Sequence, residues 1–248
     1  MKYKILILLL FTITSLYAQT LKIGYEPYLP LTSQAGEKPE GYGIEILRKV
    51  YAKHELVFQL IPYSRGLKML EDGKIDMLFG AATFDFKNPK NIVVPKESID
   101  TSVMTFFTTT KNPWVYNNSD SLKGIRLGLV NGYEYPSLQK IQDKSIFIYI
   151  SGNDTTVRNL TKLLLNRINV LYEAKNVVLY TAKQLGTQDR IKENISLGEP
   201  LPIYCVLSQK TENAQQLADE FDANLQKLRA SKELSTILKT YNLPTPVV

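Results

Sequence analysis

Three stretches decide the fold: LKIGY at 21–25, GIEILRKVYAKH at 43–54 and VFQLI at 57–61. The first and third are short apolar runs typical of buried strands, and the second repeats apolar residues every three or four positions, which predicts a helix. A helix over 64–71 and a strand over 77–80 continue the alternation. Alternating strands and helices build βαβ units, so the first part of the chain predicts a mainly parallel sheet covered by helices.

A second alternating set follows a polar, turn-forming stretch near residues 112–121. It predicts strands over 125–130, 146–150 and 170–172, and helices over 155–165 and 176–185. The sequence therefore favours an α/β protein of two lobes, each with its own flanked sheet.

The end of the chain predicts a strand over 203–207 and then two helices, capped by Thr211 and Ser231. No strand follows these helices, so we expect them to pack on an earlier lobe. This predicts two hinge crossovers, near Thr108 and near Tyr204. Lobe 1 would comprise 19–108 plus 206–248, and lobe 2 would comprise 109–205.

The first 18 residues have the pattern of a secretory signal peptide, with two lysines before a short apolar run and small residues up to Ala18. The apolar run is too short to span a membrane. Cleavage after Ala18 would lower the formal charge from +6 to +4 by removing two lysines and no acids. These features predict a soluble periplasmic protein without a lipid anchor, since Gln19 rather than cysteine follows the predicted cleavage site.

Composition excludes several classes of function. The charge is mild and the lysines are scattered, which argues against nucleic-acid binding. The single cysteine, Cys205, lies in an apolar run and is interpreted as a core thiol. The single histidine, His54, argues against a zinc site or a Ser-His-Asp triad, so we expect neither a metal nor a cofactor. Trp114 lies in the supposed linker and is interpreted as structural.

Candidate ligand-binding residues follow the predicted strands, because ligands of open parallel sheets bind beyond the carboxyl ends of the strands. Tyrosine rings, carboxylates, a guanidinium and hydroxyls there suit a small polar molecule. Individually, the tyrosines could be packing residues, Arg65 a solvated helix residue, Glu26 and Glu173 ordinary strand-end charges, and Asp154 a helix cap. The candidates are Tyr25, Glu26, Tyr28, Tyr63, Arg65, Ala81, Thr83, Tyr133, Asp154, Thr155 and Glu173.

The chain resembles the periplasmic solute-binding proteins of bacterial ABC importers, in the amino-acid-binding family called family 3. The resemblance rests on the order and spacing of motifs over nearly the whole mature chain. They are KIGY at 22–25, GYGIEIL at 41–47, GKID at 73–76, LKG at 122–124 and the closing segment 237–243. The pairs PYSR at 62–65 and GYEY at 132–135 are most similar to a branch whose ligands are less defined.

The resemblance implies the two-lobed type II periplasmic-binding fold, a small-molecule ligand between lobes that close on it, and delivery to a membrane permease by a monomer. It also implies roles for single residues. Tyr28 matches the ring-stacking aromatic, Glu26 a ligand side-chain contact and Thr83 a hydroxyl contact near the ligand carboxylate. Gly132 and Tyr133 occupy the place of a nest of backbone donors.

Two anchors of the family have no counterpart at the aligned positions. The family carries Thr-x-x-Arg after the third strand, where this chain has Thr83 followed by Phe, Asp, Phe and Lys87, and the amine-binding aspartate aligns with Ala174. Arg65 or Lys87 could replace the arginine, and Glu173 could replace the aspartate if it faces the cleft. An α-amino acid and another small polar or carboxylated solute both remain open.

Two other functions stay open on the same fold. One is an enzyme similar to cyclohexadienyl dehydratases or lytic transglycosylases, with Glu173 or Glu26 as the acid or base. The other is a sensory protein that binds a ligand and docks to a membrane receptor. We expect binding without catalysis.

Overall fold

The computed structural model describes residues 18–35, 38–141, 146–241 and 243. All but the last residue of the predicted signal peptide lies outside these described residues. The strands are β1 (Thr20–Tyr25), β2 (Ser33–Ala35), β3 (Lys38–Glu40), β4 (Glu55–Leu60), β5 (Met77–Ala81), β6 (Ile92–Val93), β7 (Asp100–Ser102), β8 (Met104–Thr109), β9 (Leu127–Val130), β10 (Phe147–Ile150), β11 (Val170–Ala174), β12 (Ile191–Ser196) and β13 (Leu201–Ser208). The helices are α1 (Tyr42–Val50), α2 (Tyr63–Glu71), α3 (Thr155–Leu164), α4 (Lys175–Gln184), α5 (Ala214–Ala230) and α6 (Glu233–Thr240).

The strands form two larger sheets, one for each lobe. The first has the order β4-β1-β5-β13-β6, with β7 paired to β13, and the second has the order β10-β9-β11-β8-β12. The β1, β4 and β5 strands are parallel, as are β9, β10 and β11, whereas β13 and β8 run antiparallel to their neighbours. The predicted βαβ succession therefore sets the parallel centre of each sheet, and the returning strands add the antiparallel members.

The C-terminal helices pack on the first sheet's helical layer. Phe221 of α5 is fully buried beside Tyr51, with the two ring centroids 6.1 Å apart. The Tyr51 hydroxyl donates to the Leu217 carbonyl at 2.9 Å, and the Asn224 amide donates to the Val50 carbonyl at 2.8 Å. These contacts join the end of the chain to lobe 1.

The strands cross between the sheets earlier than the predicted crossovers at Thr108 and Tyr204. Residues 104–108, predicted in lobe 1, pair with β11 and β12 of the second sheet. Residues 201–205, predicted in lobe 2, pair with β7 and β5 of the first sheet. The predicted crossover points, Thr108 and Tyr204, both lie inside a strand. The chain instead changes sheets near Val103 and within 197–200, just before each strand begins.

Both predicted caps of the terminal helices are wrong. The Thr211 hydroxyl donates to Asp76 in the loop before β5, and α5 begins after Asn213, whose φ is +58°. The Ser231 hydroxyl donates back to the Leu228 carbonyl, so Ser231 ends α5, and Lys232 precedes α6. In both places the hydroxyl donates to an oxygen atom instead of accepting a backbone N–H, as an N-cap would.

None of the described helices combines the length and the apolar character that a membrane span needs. The structural interpretations of Cys205 and Trp114 are confirmed: Cys205 is fully buried, and Trp114 packs against the core of lobe 2 with its indole N–H donating to the Ser121 carbonyl. The His54 ring accepts the backbone N–H of Gln19 and lies 3.1 Å from Glu220.

Candidate functional site

Glu26 connects the two lobes at the carboxyl end of β1. Its Oε2 accepts the backbone N–H of Tyr63, at the start of α2 in the same lobe, at 3.0 Å. Its Oε1 accepts the hydroxyl of Tyr133, which follows β9 in the other lobe, at 2.6 Å. The side chain is buried, with 8% of its surface exposed. Glu26 therefore links the two lobes through Oε1, while its Oε2 is bound within lobe 1.

A second contact closes the same face of the cleft. The backbone N–H of Glu134 donates to Asp85 Oδ1 at 3.1 Å, and the Tyr63 hydroxyl donates to Asp85 Oδ2. The rings of Tyr63 and Tyr133 meet edge to face with centroids 4.9 Å apart. The lobes thus approach closely along the segment after β9.

Gly132 permits this approach. Its φ is +95°, and a Cβ atom at this position would lie 2.8 Å from the Cβ of Ser64 in lobe 1. Both the backbone conformation and the space require glycine here. The resemblance implied a backbone nest at this position, and the structure places the segment at the junction of the lobes.

Glu173 supplies a second buried carboxylate from lobe 2. It lies in β11 opposite Thr105, with 1% of its surface exposed. The Thr156 hydroxyl and the Ala174 N–H hydrogen bond to the carboxylate, but its Oε2 is buried without any partner among the described residues. The Glu26 charge acts on Glu173, and the Glu173 charge acts on Tyr28, Tyr133 and Tyr135. The side chain therefore lies close to Glu26 and Tyr28 of lobe 1 and to Tyr133 of its own lobe.

Burial raises the pKa of all three carboxyls in the cleft. Desolvation is the largest cause for each, because removal from water disfavours the charged form. The pKa of Glu173 rises to about 8, with the Glu26 charge as a further cause, and the pKa of Glu26 rises to about 7 against the lowering effect of its two hydrogen bonds. The pKa of Asp85 rises to about 6. The closed cleft therefore favours the neutral, protonated form of each of these carboxyl groups.

Tyr28 divides the space between the lobes. Its hydroxyl lies 3.0 Å from the Ser102 hydroxyl, and both residues line two cavities. The smaller cavity, about 40 Å³, lies toward Tyr133 and Asp85. The larger cavity, about 600 Å³, lies toward the C-terminal helices.

Two charged groups that line the larger cavity already have partners. Asp100 accepts the Tyr42 hydroxyl at 2.6 Å, and Arg229 is bound to Glu97 and to the Ser98 carbonyl. Much of the remaining lining is apolar, from Leu29 to Leu243. Asp85 and the hydroxyls of Tyr28, Tyr63, Ser102 and Tyr133 line the smaller cavity, and Glu26 hydrogen bonds to Tyr63 and Tyr133. A polar solute is better matched by this closed cleft, which we take as the candidate site.

The structure brings together five of the eleven predicted site residues: Glu26, Tyr28, Tyr63, Tyr133 and Glu173. Thr155 is buried in the first turn of α3, next to Thr156. The remaining five lie elsewhere. Tyr25 packs in the lobe 1 core against Phe58, Ala81 is a core residue, and Arg65, Thr83 and Asp154 are exposed.

The local structure explains why these predicted residues lie outside the cleft. Tyr25 is the last residue of β1, whose alternating side chains place it on the core face while Glu26 leaves the strand toward the cleft. Arg65 lies on the solvent face of α2, where Gly66 and Leu70 occupy the packed face. Asp154 precedes α3 with a φ of +56° and makes no side-chain cap, contrary to the interpretation as a cap.

Sequence reasoning missed Asp85 and Ser102. Asp85 follows β5 in the stretch TFD, so the rule of polar residues after strands could have found it. Ser102 precedes a crossover, and only the pairing of β7 with β13 brings it to Tyr28. Among the described residues no group of three His, Cys, Asp or Glu side chains could hold a metal ion.

The raised pKa values predict a pH-dependent stability. Because the pKa values of Glu26 and Glu173 in the folded protein exceed their ordinary value of 4.5, the folded protein retains protons that the unfolded chain releases. This stabilisation is complete below pH 4.5 and is lost as pH rises through about 7 and about 8. We expect the Tm of the ligand-free protein to fall relative to that of Glu173→Gln between about pH 5 and about pH 8.5, by roughly 2 to 4 °C for each kcal/mol lost. A Tm difference that is constant with pH would contradict this assignment.

Comparison with known proteins identifies the family. The sequence model of the bacterial extracellular solute-binding proteins, family 3, matches residues 21–244. No curated protein matches the chain in sequence. The chain belongs to the bacterial extracellular solute-binding proteins, family 3.

Solved structures share the fold at low sequence identity. A histidine kinase sensor domain with similarity to periplasmic binding proteins has a TM-score of 0.75 at 18% identity, covering 90% of this chain and 95% of its own. The arginine-, lysine-, histidine-binding protein ArtJ from Geobacillus stearothermophilus has a TM-score of 0.75 at 14% identity, covering 92% and 96%. The amino acid ABC transporter substrate-binding protein AbpA from Streptococcus pneumoniae, bound to L-arginine, has a TM-score of 0.71 at 15% identity, covering 90% and 94%. The predicted type II periplasmic-binding fold is confirmed.

Proposed function

We propose that the protein captures a small polar solute, an amino acid or a related compound, between lobes that close on it. The observation that carries this proposal is the hydrogen bond from Tyr133 of lobe 2 to Glu26 of lobe 1, beside the buried Glu173. A ligand that contacts both lobes binds the closed form better than the open form and shifts the population toward it.

The size of the closed cleft supports a hinge motion. About 40 Å³ accommodates a few water molecules at most, whereas small-molecule sites usually measure ~300 Å³ or more. The lobes must therefore separate for a solute to enter. Within the described ranges the chain changes sheets near Val103 and within 197–200, so two short connections could act as the hinge.

The wider role follows from the family. We propose that the protein is exported by its N-terminal signal peptide, acts in the periplasm as a monomer and delivers its solute to an ABC importer. AbpA and ArtJ, which share the fold, are an amino acid transporter's substrate-binding protein and a basic-amino-acid-binding protein. We further propose that the cleft binds its solute without converting it, which a mass-spectrometric check of the recovered ligand would test.

A thermal-shift screen of the purified mature protein tests the proposal. The screen should include amino acids, amines derived from them and small carboxylates. A true ligand at a hundred times its dissociation constant stabilises the protein by ~2.7 kcal/mol, which corresponds to a rise in Tm of roughly 5 to 10 °C. Absence of any stabilising solute from these classes would contradict the proposed function.

A further inference from the structure

One carboxyl oxygen of Glu173 lacks a hydrogen-bond donor. Its Oε2 is buried without a partner among the described residues, while each oxygen of Glu26 accepts one hydrogen bond. A buried carboxylate oxygen that lacks a donor is costly, so native proteins rarely leave one unsatisfied. A donor that enters the closed cleft would remove this cost.

The carboxyl groups of the cleft have no cationic partner among the described residues. None of the six ion pairs among the described residues includes Glu26, Glu173 or Asp85. The donors that do reach these carboxylates are hydroxyls and backbone N–H groups. Arg65 and Lys87, the two candidates for holding a ligand carboxylate, have exposed side chains.

This arrangement opposes an anionic group and favours a cationic one. Once ionised, two buried carboxyl groups from opposite lobes would repel a ligand carboxylate, whereas a protonated nitrogen between them would favour their ionised forms and donate to Glu173. The rings of Tyr63 and Tyr133, which meet at this point, add faces that attract a cation. The described residues contain no group of ligands suited to a metal ion, so the cation is an organic one.

We propose that the solute is an organic amine or guanidine whose protonated nitrogen lies between Glu26 and Glu173, and that recognition does not use a carboxylate group of the ligand. This inference rests on the proposed function, because it names the ligand class of the same cleft. It separates the protein from relatives that bind whole amino acids, since the decarboxylated amine should be the better ligand here.

Matched pairs of compounds test the inference by calorimetry. The pairs are agmatine with arginine, putrescine with ornithine, and cadaverine with lysine, which differ only in the α-carboxylate. We expect the amine of at least one pair to bind 10-fold or more tightly than its amino acid, with affinity rising from pH 6 to pH 8.5 as the carboxylates ionise. Equal or tighter binding of every amino acid, or no binding of any amine, would overturn the inference.

Variants and further ligands separate the possible failures. Glu173→Gln should weaken amine binding at least 10-fold, whereas Glu212→Gln, the same change at an exposed glutamate of lobe 1 after β13, should leave binding unchanged. The comparison of pairs in the wild type does not depend on the folding of either variant. If glutamine or glutamate stabilises the protein and the amines do not, the inference fails while the proposed function stands. If no solute in the screen binds, both fail.

Discussion

Replacing Glu173 by glutamine is expected to weaken solute binding about 30- to 800-fold, which equals ~2 to 4 kcal/mol. The change removes a buried negative charge and leaves the ligand's donor group without its charged partner. Folding should survive, because glutamine has nearly the same shape as the protonated side chain. Burial already raises the pKa of Glu173 to about 8, so the carboxyl is largely protonated in the ligand-free protein near neutral pH.

Two control variants accompany this measurement. Glu212→Gln makes the same substitution on the exposed surface, and Arg65→Ala removes a cation that the sequence placed in the site but that the structure leaves exposed. We expect a change of less than about twofold for each. An affinity that falls in Arg65→Ala and is unchanged in Glu173→Gln would reverse the assignment of the site. Isothermal titration with the solute that binds most tightly in the screen measures the affinity of each variant.

Replacing Phe221 by alanine is expected to lower the free energy of unfolding by about 3 to 5 kcal/mol. The ring is fully buried between α5 and the end of α1, in contact with Tyr51, so its removal leaves a cavity in the core of lobe 1. The free energy of unfolding falls because the C-terminal helices pack on the core of lobe 1. Urea denaturation measures the loss.

Phe84→Ala is the matched control, because the same ring at position 84 is 41% exposed. We expect it to change the unfolding free energy by less than about 0.5 kcal/mol. If Phe221→Ala were as mild as Phe84→Ala, the C-terminal helices would not form part of the lobe 1 core.

The order of elements could be predicted from the sequence because each carries its own periodicity. The parallel units built from β1, α1 and β4 follow from apolar patterns that persist in the folded chain. The crossover points could not, because 101–110 is one continuous β-rich run. Only the pairing partners of β7 and β8 show that Val103 separates strands of different sheets.

The site was predicted in part. The rule that ligand contacts follow strands found Glu26, Tyr63 and Tyr133, since their positions depend on where a strand ends. The same rule does not predict the direction of a side chain within a helix or strand. Arg65 lies two residues after Tyr63 yet faces solvent, and Glu173 lies near Glu26 although the resemblance aligned its neighbour Ala174 with the amine-binding aspartate.

A crystal structure of the protein with the tightest solute from the screen tests the central claim most directly. The account predicts that the lobes close on the ligand with donor atoms within about 3 Å of both Glu26 and Glu173. A ligand bound instead in the 600 Å³ cavity beside Tyr42 and Leu238, with both carboxylates untouched, would contradict it.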